Sequence, residues 1–113
     1  MLAVAPTANP IFTESISLGR KANTTVGENS FTVGFNVEAS GEYSHAEGED
    51  TQALDWADHA EGADTIASGG TSHAEGYETV ASGWSAHAEG GFTIASGESS
   101  HAGGYETEAN GDN

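Results

Sequence analysis

The chain has 113 residues, 18 acidic against two basic side chains, no cysteine, and a formal net charge of −16. Its length bounds it to one domain, and without thiols neither a disulfide framework nor a thiolate metal site can stabilise it. Arg20 and Lys21 are the only basic residues, so nucleic acid and anionic membrane surfaces are excluded as partners by repulsion.

Residues 1–14 stand outside the pattern that follows and read as an N-terminal arm or cap, with Ile11 and Phe12 available for packing. The opening Met-Leu-Ala-Val-Ala-Pro-Thr-Ala-Asn-Pro has no basic region and too short an apolar run for a signal peptide. No stretch approaches the roughly 20 apolar residues that span a bilayer. Neither export by such a peptide nor membrane insertion is expected.

From Ser15 to the end, residues 15–113 read as one repeat domain. Ser15-Ile16-Ser17-Leu18-Gly19 and Ser30-Phe31-Thr32-Val33-Gly34 open it, with a one-residue slip between Gly19 and Gly27 that predicts a bulged corner. Glycine then recurs every seventh residue from Gly27 to Gly111, interrupted only by Asp55. Alanine keeps the same beat from Ala39 to Ala109, and histidine comes every fourteenth residue at His45, His59, His73, His87 and His101. So strict a period is the signature of a solenoid, in which each unit repeats one structural job.

Residues 65–78 typify the unit. They hold two five-residue segments, Thr65–Gly69 and Ser72–Gly76, joined by two-residue corners. Side chains alternate across a strand, so Thr65, Ala67, Gly69, Ser72, Ala74 and Gly76 form a small-residue set that must face a narrow lumen. The glycine ending each segment is expected to take the corner, with positive φ where needed. Helix is excluded, since glycine at this density costs about 1 kcal/mol per site and no 3.6-residue apolar period exists. The fold class is therefore all-β, a thin parallel β-roll of roughly seven 14-residue coils stacked about 4.8 Å apart.

Such a core is poor. Burial contributes roughly 25 cal/mol per Å², whereas ordering a residue costs about 1–2 kcal/mol. Alanine, serine and threonine offer little area, which predicts an oligomer. Its interface is expected along the outward pairs of the second segment: Ile16/Leu18, Phe31/Val33, His45/Glu47, His59/Glu61, His73/Glu75, His87/Glu89 and His101/Gly103. The first two pairs are plain hydrophobes, and an apolar patch on a thin rod marks an interface. Burying glutamate is costly unless it is paired, so histidine and glutamate of neighbouring chains are expected to alternate around the axis, with the histidine pKa raised. The alternative is a metal ion or an anion held by symmetry-related imidazoles on that axis; no cofactor is expected otherwise.

The first-segment outward column is mixed: Glu38, Gln52, Ile66, Val80, Ile94 and Glu108. The corners carry Tyr43, Trp56, Tyr77, Trp84, Phe92 and Tyr105. Corner aromatics clamp a neighbouring subunit or receptor; stacking on sugars is the alternative. The acids read as a solubilising coat that blunts edges, with ion binding as the other reading.

The units Ser-Ile-Ser-Leu-Gly, Ser-Phe-Thr-Val-Gly and the five His-Ala-Glu/Gly-Gly repeats resemble the head repeats of trimeric autotransporter adhesins, the YadA-like left-handed parallel β-roll, over residues 15–113. The resemblance implies a homotrimer whose outward pairs face the threefold axis. The Ser-His-Ala-Glu-Gly form with Thr-x-Ala-Ser-Gly between is similar to repeats in tail fibres and tail-associated proteins of phages of Gram-positive bacteria. That likeness implies a structural, adhesive protein of a phage fibre, tail tip or capsid spike at the virion surface. It would space or contact a host-surface glycan or protein receptor and meet other virion or fibre proteins through residues 1–14. With neither coiled-coil stalk nor membrane barrel, a complete autotransporter is not expected. The head fragment of a bacterial surface adhesin is the alternative, because the chain ends in mid-pattern at Thr107–Gly111.

Other classes fit less well. An ice-binding face needs ranks of exposed threonine, yet Thr51, Thr65, Thr79, Thr93 and Thr107 fall on the inward set. Calcium rolls need a nine-residue period. An enzyme is not expected, since Ser72 and His73 fall on opposite faces of one strand.

Overall fold

A computed structural model of the chain describes residues 14–112. Apart from Glu14, the expected arm, Ile11 and Phe12 included, lies outside the described residues. Twelve strands follow one another without a helix among the described residues: β1 (Ile16–Arg20), β2 (Phe31–Ala39), β3 (His45–Glu49), β4 (Gln52–Ala53), β5 (His59–Ala63), β6 (Ile66–Ala67), β7 (His73–Tyr77), β8 (Val80–Ala81), β9 (His87–Gly91), β10 (Ile94–Ala95), β11 (His101–Tyr105) and β12 (Glu108–Ala109).

All pairings are parallel and in fourteen-residue register after the first coil: His45 pairs with His59, His59 with His73, Ile66 with Val80. One wall of the solenoid is β1-β2-β3-β5-β7-β9-β11. The opposite wall is β4-β6-β8-β10-β12, joined to the first because β2 is long enough to pass through both. The expected slip is present: Ile16 pairs with Phe31 and Leu18 with Val33, fifteen residues apart, with a further shift between Leu18 and Arg20.

The lumen is lined as the alternation requires. Ala46, Ala60, Ala74 and Ala88 from one wall meet Ala53, Ala67 and Ala81 from the other, all fully buried. Val37 is the largest of the fully buried side chains. Thr51, Thr65, Thr79 and Thr93 are also fully buried, and their Oγ1 atoms have no hydrogen-bond partner.

Two expectations are corrected. Apart from the nine-residue β2 the first-wall strands run five residues, but the opposite strands β4, β6, β8, β10 and β12 are only two long. The positive φ expected of the segment-ending glycines holds for one segment only: Gly34, Gly48, Gly62, Gly76, Gly90 and Gly104 adopt it, whereas Gly41, Gly69, Gly83 and Gly97 do not. At each corner the left-handed residue sits two positions beyond the glycine, and it is Tyr43, Asp50, Ala57, Asp64, Thr71, Glu78, Ser85, Phe92 and their equivalents. A Cβ in that region costs about 1 kcal/mol or more. A backbone bond to the preceding coil offsets it, as Thr71 donates to the Trp56 carbonyl at 2.8 Å and Glu78 to Ala63 at 2.9 Å.

Glycine is needed for close approach. A Cβ on Gly76 (φ +113°) would stand 2.1 Å from the Gly90 carbonyl oxygen, and one on Gly69 2.0 Å from that of Gly83. Each coil thus rests on its neighbour at a point where only hydrogen fits. At Asp55, where the ladder breaks, a second change accompanies it. Asp58 replaces the serine found at Ser44 and Ser72, is 1 % exposed, and accepts bonds from the Asp55 amide (2.9 Å) and from the Ser72 amide and hydroxyl (both 2.8 Å).

Candidate functional site: an imidazole–carboxylate ladder

The first wall is pleated, so its outward residues form two parallel columns. Ile16, Phe31, His45, His59, His73, His87 and His101 make one; Leu18, Val33, Glu47, Glu61, Glu75, Glu89 and Gly103 make the other. The expected interface residues therefore share one face. Leu18 and Phe31 are exposed at 37% and 36%, and the Phe31 ring meets His45 edge-on at 5.0 Å. The hydrophobic start and the polar continuation are one surface.

Parallel register stacks the imidazoles. Successive ring centroids from His45 to His101 are 4.5, 4.5, 4.8 and 4.8 Å apart, with planes within 7° of parallel. Each later histidine turns its Nε2 to the glutamate of the preceding coil: His73 to Glu61 at 3.3 Å, His87 to Glu75 at 3.1 Å, His101 to Glu89 at 3.1 Å. A carboxylate only accepts, so these Nε2 atoms carry the proton and donate. Carboxylate partners are thus provided within this chain, along a diagonal of twelve residues.

The start of the ladder is different. His45 and His59 each stand 4.0 Å from a different oxygen of Glu47, and His59 is 3.9 Å from Glu61. These separations are too long for hydrogen bonds, and the Nε2 atoms of His45 and His59 are buried without a partner.

The electrostatics follow. Burial pushes the His59 pKa below its ordinary 6.5, aided by the flanking His45 and His73 and opposed by Glu47 and Glu75. The expected rise is therefore reversed at His59: desolvation and like neighbours outweigh carboxylates too far away to bond. Burial also raises Glu61, with Glu47 and Glu75 adding and His73 opposing, whereas the bond from His87 holds Glu75 low.

The corner aromatics divide between two ridges. Tyr43, Trp56 and Trp84 lie on one, where Tyr43 and Trp56 meet edge-to-face at 6.4 Å. Tyr77, Phe92 and Tyr105 lie on the other, in edge-to-face contact at 5.4 and 5.6 Å. All six are exposed, as is Phe35, which the reading of the corners missed. On the opposite wall an open concavity is lined by Asp50, Gln52, Asp64, Ile66, Glu78 and Val80. Asp58 was also missed; its signal was the simultaneous loss of glycine at 55 and serine at 58.

No helix among the described residues is long and apolar enough to cross a membrane. Comparisons with family models, with curated proteins and with solved structures returned no match.

Proposed function

We propose that the chain is a structural and adhesive protein, a homotrimeric β-roll of a phage fibre, tail tip or capsid spike that spaces or contacts a host-surface receptor. The observation that carries this reading is the single outward face on which exposed Leu18 and Phe31 run in register into the stacked ladder. Its companion is a core whose buried hydrophobic residues are Val37 and alanines alone among the described residues, which leaves a lone copy short of burial. Three copies meeting on this face would cover the hydrophobes and hydrate or bridge the ladder. The two aromatic ridges would then flank each seam, available to a neighbouring chain or a receptor. A repeated, uniform surface suits spacing and multivalent contact rather than chemistry at one point.

The test is Phe31→Glu, which places a carboxylate at the apolar end of the seam. Sedimentation equilibrium should show the variant dissociating at concentrations where the wild type is assembled, with Glu98→Gln, a change at an exposed position off the seam, leaving the mass unchanged. An assembly that tolerates Phe31→Glu refutes the seam.

A further inference from the structure

The two unpartnered imidazoles at the head of the ladder form a set with Glu47, and the geometry points to a divalent transition-metal site built from His45 Nε2, Glu47 carboxylate and His59 Nε2. Three such His-Glu-His groups follow one another, with ligand atoms within 4.8 Å of each other: His45-Glu47-His59, His59-Glu61-His73 and His73-Glu75-His87. They are not equivalent. In the third, the Nε2 protons of His73 and His87 are already given to Glu61 and Glu75, so an ion would have to displace both bonds. In the first, both Nε2 atoms lack a partner and each faces its own oxygen of Glu47 at 4.0 Å.

The ligand chemistry selects the ion. Two imidazoles and one carboxylate suit zinc and its first-row neighbours, whereas calcium and magnesium require oxygen shells. Zinc bonds of about 2.1 Å set ligand atoms about 3.4 Å apart in a tetrahedron, so Glu47 must close on each imidazole by roughly 0.6 Å, and ligand atoms as much as 4.8 Å apart by up to roughly 1.4 Å. The two stacked rings would tilt toward each other on binding. The lone pair is presented by the tautomer with its proton on Nδ1, and a fourth position remains open on the outer face. All three ligands come from one chain, so the site does not rest on threefold assembly.

Sharing limits the stoichiometry. His59 belongs to the first and second groups and His73 to the second and third, yet one Nε2 binds one ion. The first and third groups can fill together; the second cannot fill alongside either. One tight ion per chain is expected at Glu47, then a weaker one at Glu75. His101 already gives its Nε2 proton to Glu89 at 3.1 Å and belongs to none of the three groups.

Calorimetric titration of the purified chain with ZnCl2 at pH 7.5, repeated with CaCl2, tests the assignment, and CoCl2 gives the d–d absorption of a nitrogen-bearing site. The tight zinc step should weaken at least about tenfold in Glu47→Gln and in His59→Gln and persist in His101→Gln, with no matching calcium step. Glu47→Gln alone decides if His59→Gln does not fold. Absence of a tight step, or a step indifferent to Glu47→Gln, overturns the site; the latter is what diffuse binding to the acidic surface would give.

Discussion

Gly76→Ala offers the sharpest test of how the coils are stacked. A methyl group at this position would stand 2.1 Å from the Gly90 carbonyl oxygen, 3.0 Å from its carbonyl carbon and 3.0 Å from its nitrogen, on a backbone at φ +113°. Ordinary contact begins near 3.4 Å, so β7 and β9 must part locally by more than an ångström. That separation breaks one or two inter-coil hydrogen bonds, at about 1 kcal/mol each plus the desolvation cost of groups left unpaired. The strained φ adds about 1–3 kcal/mol. The sum is on the order of 4 kcal/mol. In a solenoid each repeat contacts only its neighbours, so the damage divides the stack between its fifth and sixth coils. Urea denaturation followed by circular dichroism should show that loss in Gly76→Ala, while Gly111→Ala, whose added Cβ meets nothing within 4 Å, should stay within about 0.5 kcal/mol of wild type. Equal stabilities for wild type and Gly76→Ala would refute the close-approach account of the glycine ladder.

The lumen predicts an unusual gain: Thr79 is fully buried with an unpartnered hydroxyl, so Thr79→Val should raise stability by about 1 kcal/mol. A lower melting temperature for that variant would mean the hydroxyl is satisfied. The ladder predicts a pH dependence. His59, facing His45, His73, Glu47, Glu61 and Glu75, titrates below its ordinary 6.5 in the folded chain, so the unfolded chain binds more protons in that window. Stability is full above about 6.5 and falls as pH drops through the folded value. His59→Gln should flatten this slope in urea titrations between pH 7.5 and 5.5, and an unchanged slope would contradict it. Glu75, held low, adds a further loss only below its ordinary 4.5, whereas protonation of the raised Glu61 relieves a penalty.

The solenoid was legible because its period is carried by small residues whose only sufficient reason is the lumen. Ala60 and Ala74 could not be large, and both are fully buried. What glycine does was legible only in part. Sequence cannot separate a glycine that turns the chain from one that lets a neighbour approach: Gly76 does both, Gly69 only the second, and the left-handed corner itself falls on residues such as Ala57 and Glu78. The ladder was legible as a face but not in its pairing. His73 and Glu75 are two apart in sequence, yet the hydrogen bond of His73 runs to Glu61, because stacking the rings aims Nε2 back toward the preceding coil. The direction of the His59 shift escaped for the same reason: it depends on 4.0 Å separations that leave Nε2 of this half-buried imidazole buried and unbonded.

The central claim is that one copy carries too little core to stand alone and completes itself along the His/Glu face. Light scattering on the purified chain at pH 7.5 and again at pH 4.5 tests it most directly. The account predicts three times the 11.5 kDa of one chain at pH 7.5. At pH 4.5 proton uptake along the face that the copies share places like charge on both sides of each seam, and the mass should fall toward that of one chain. A folded, thermally robust 11.5 kDa species at pH 7.5 would contradict it.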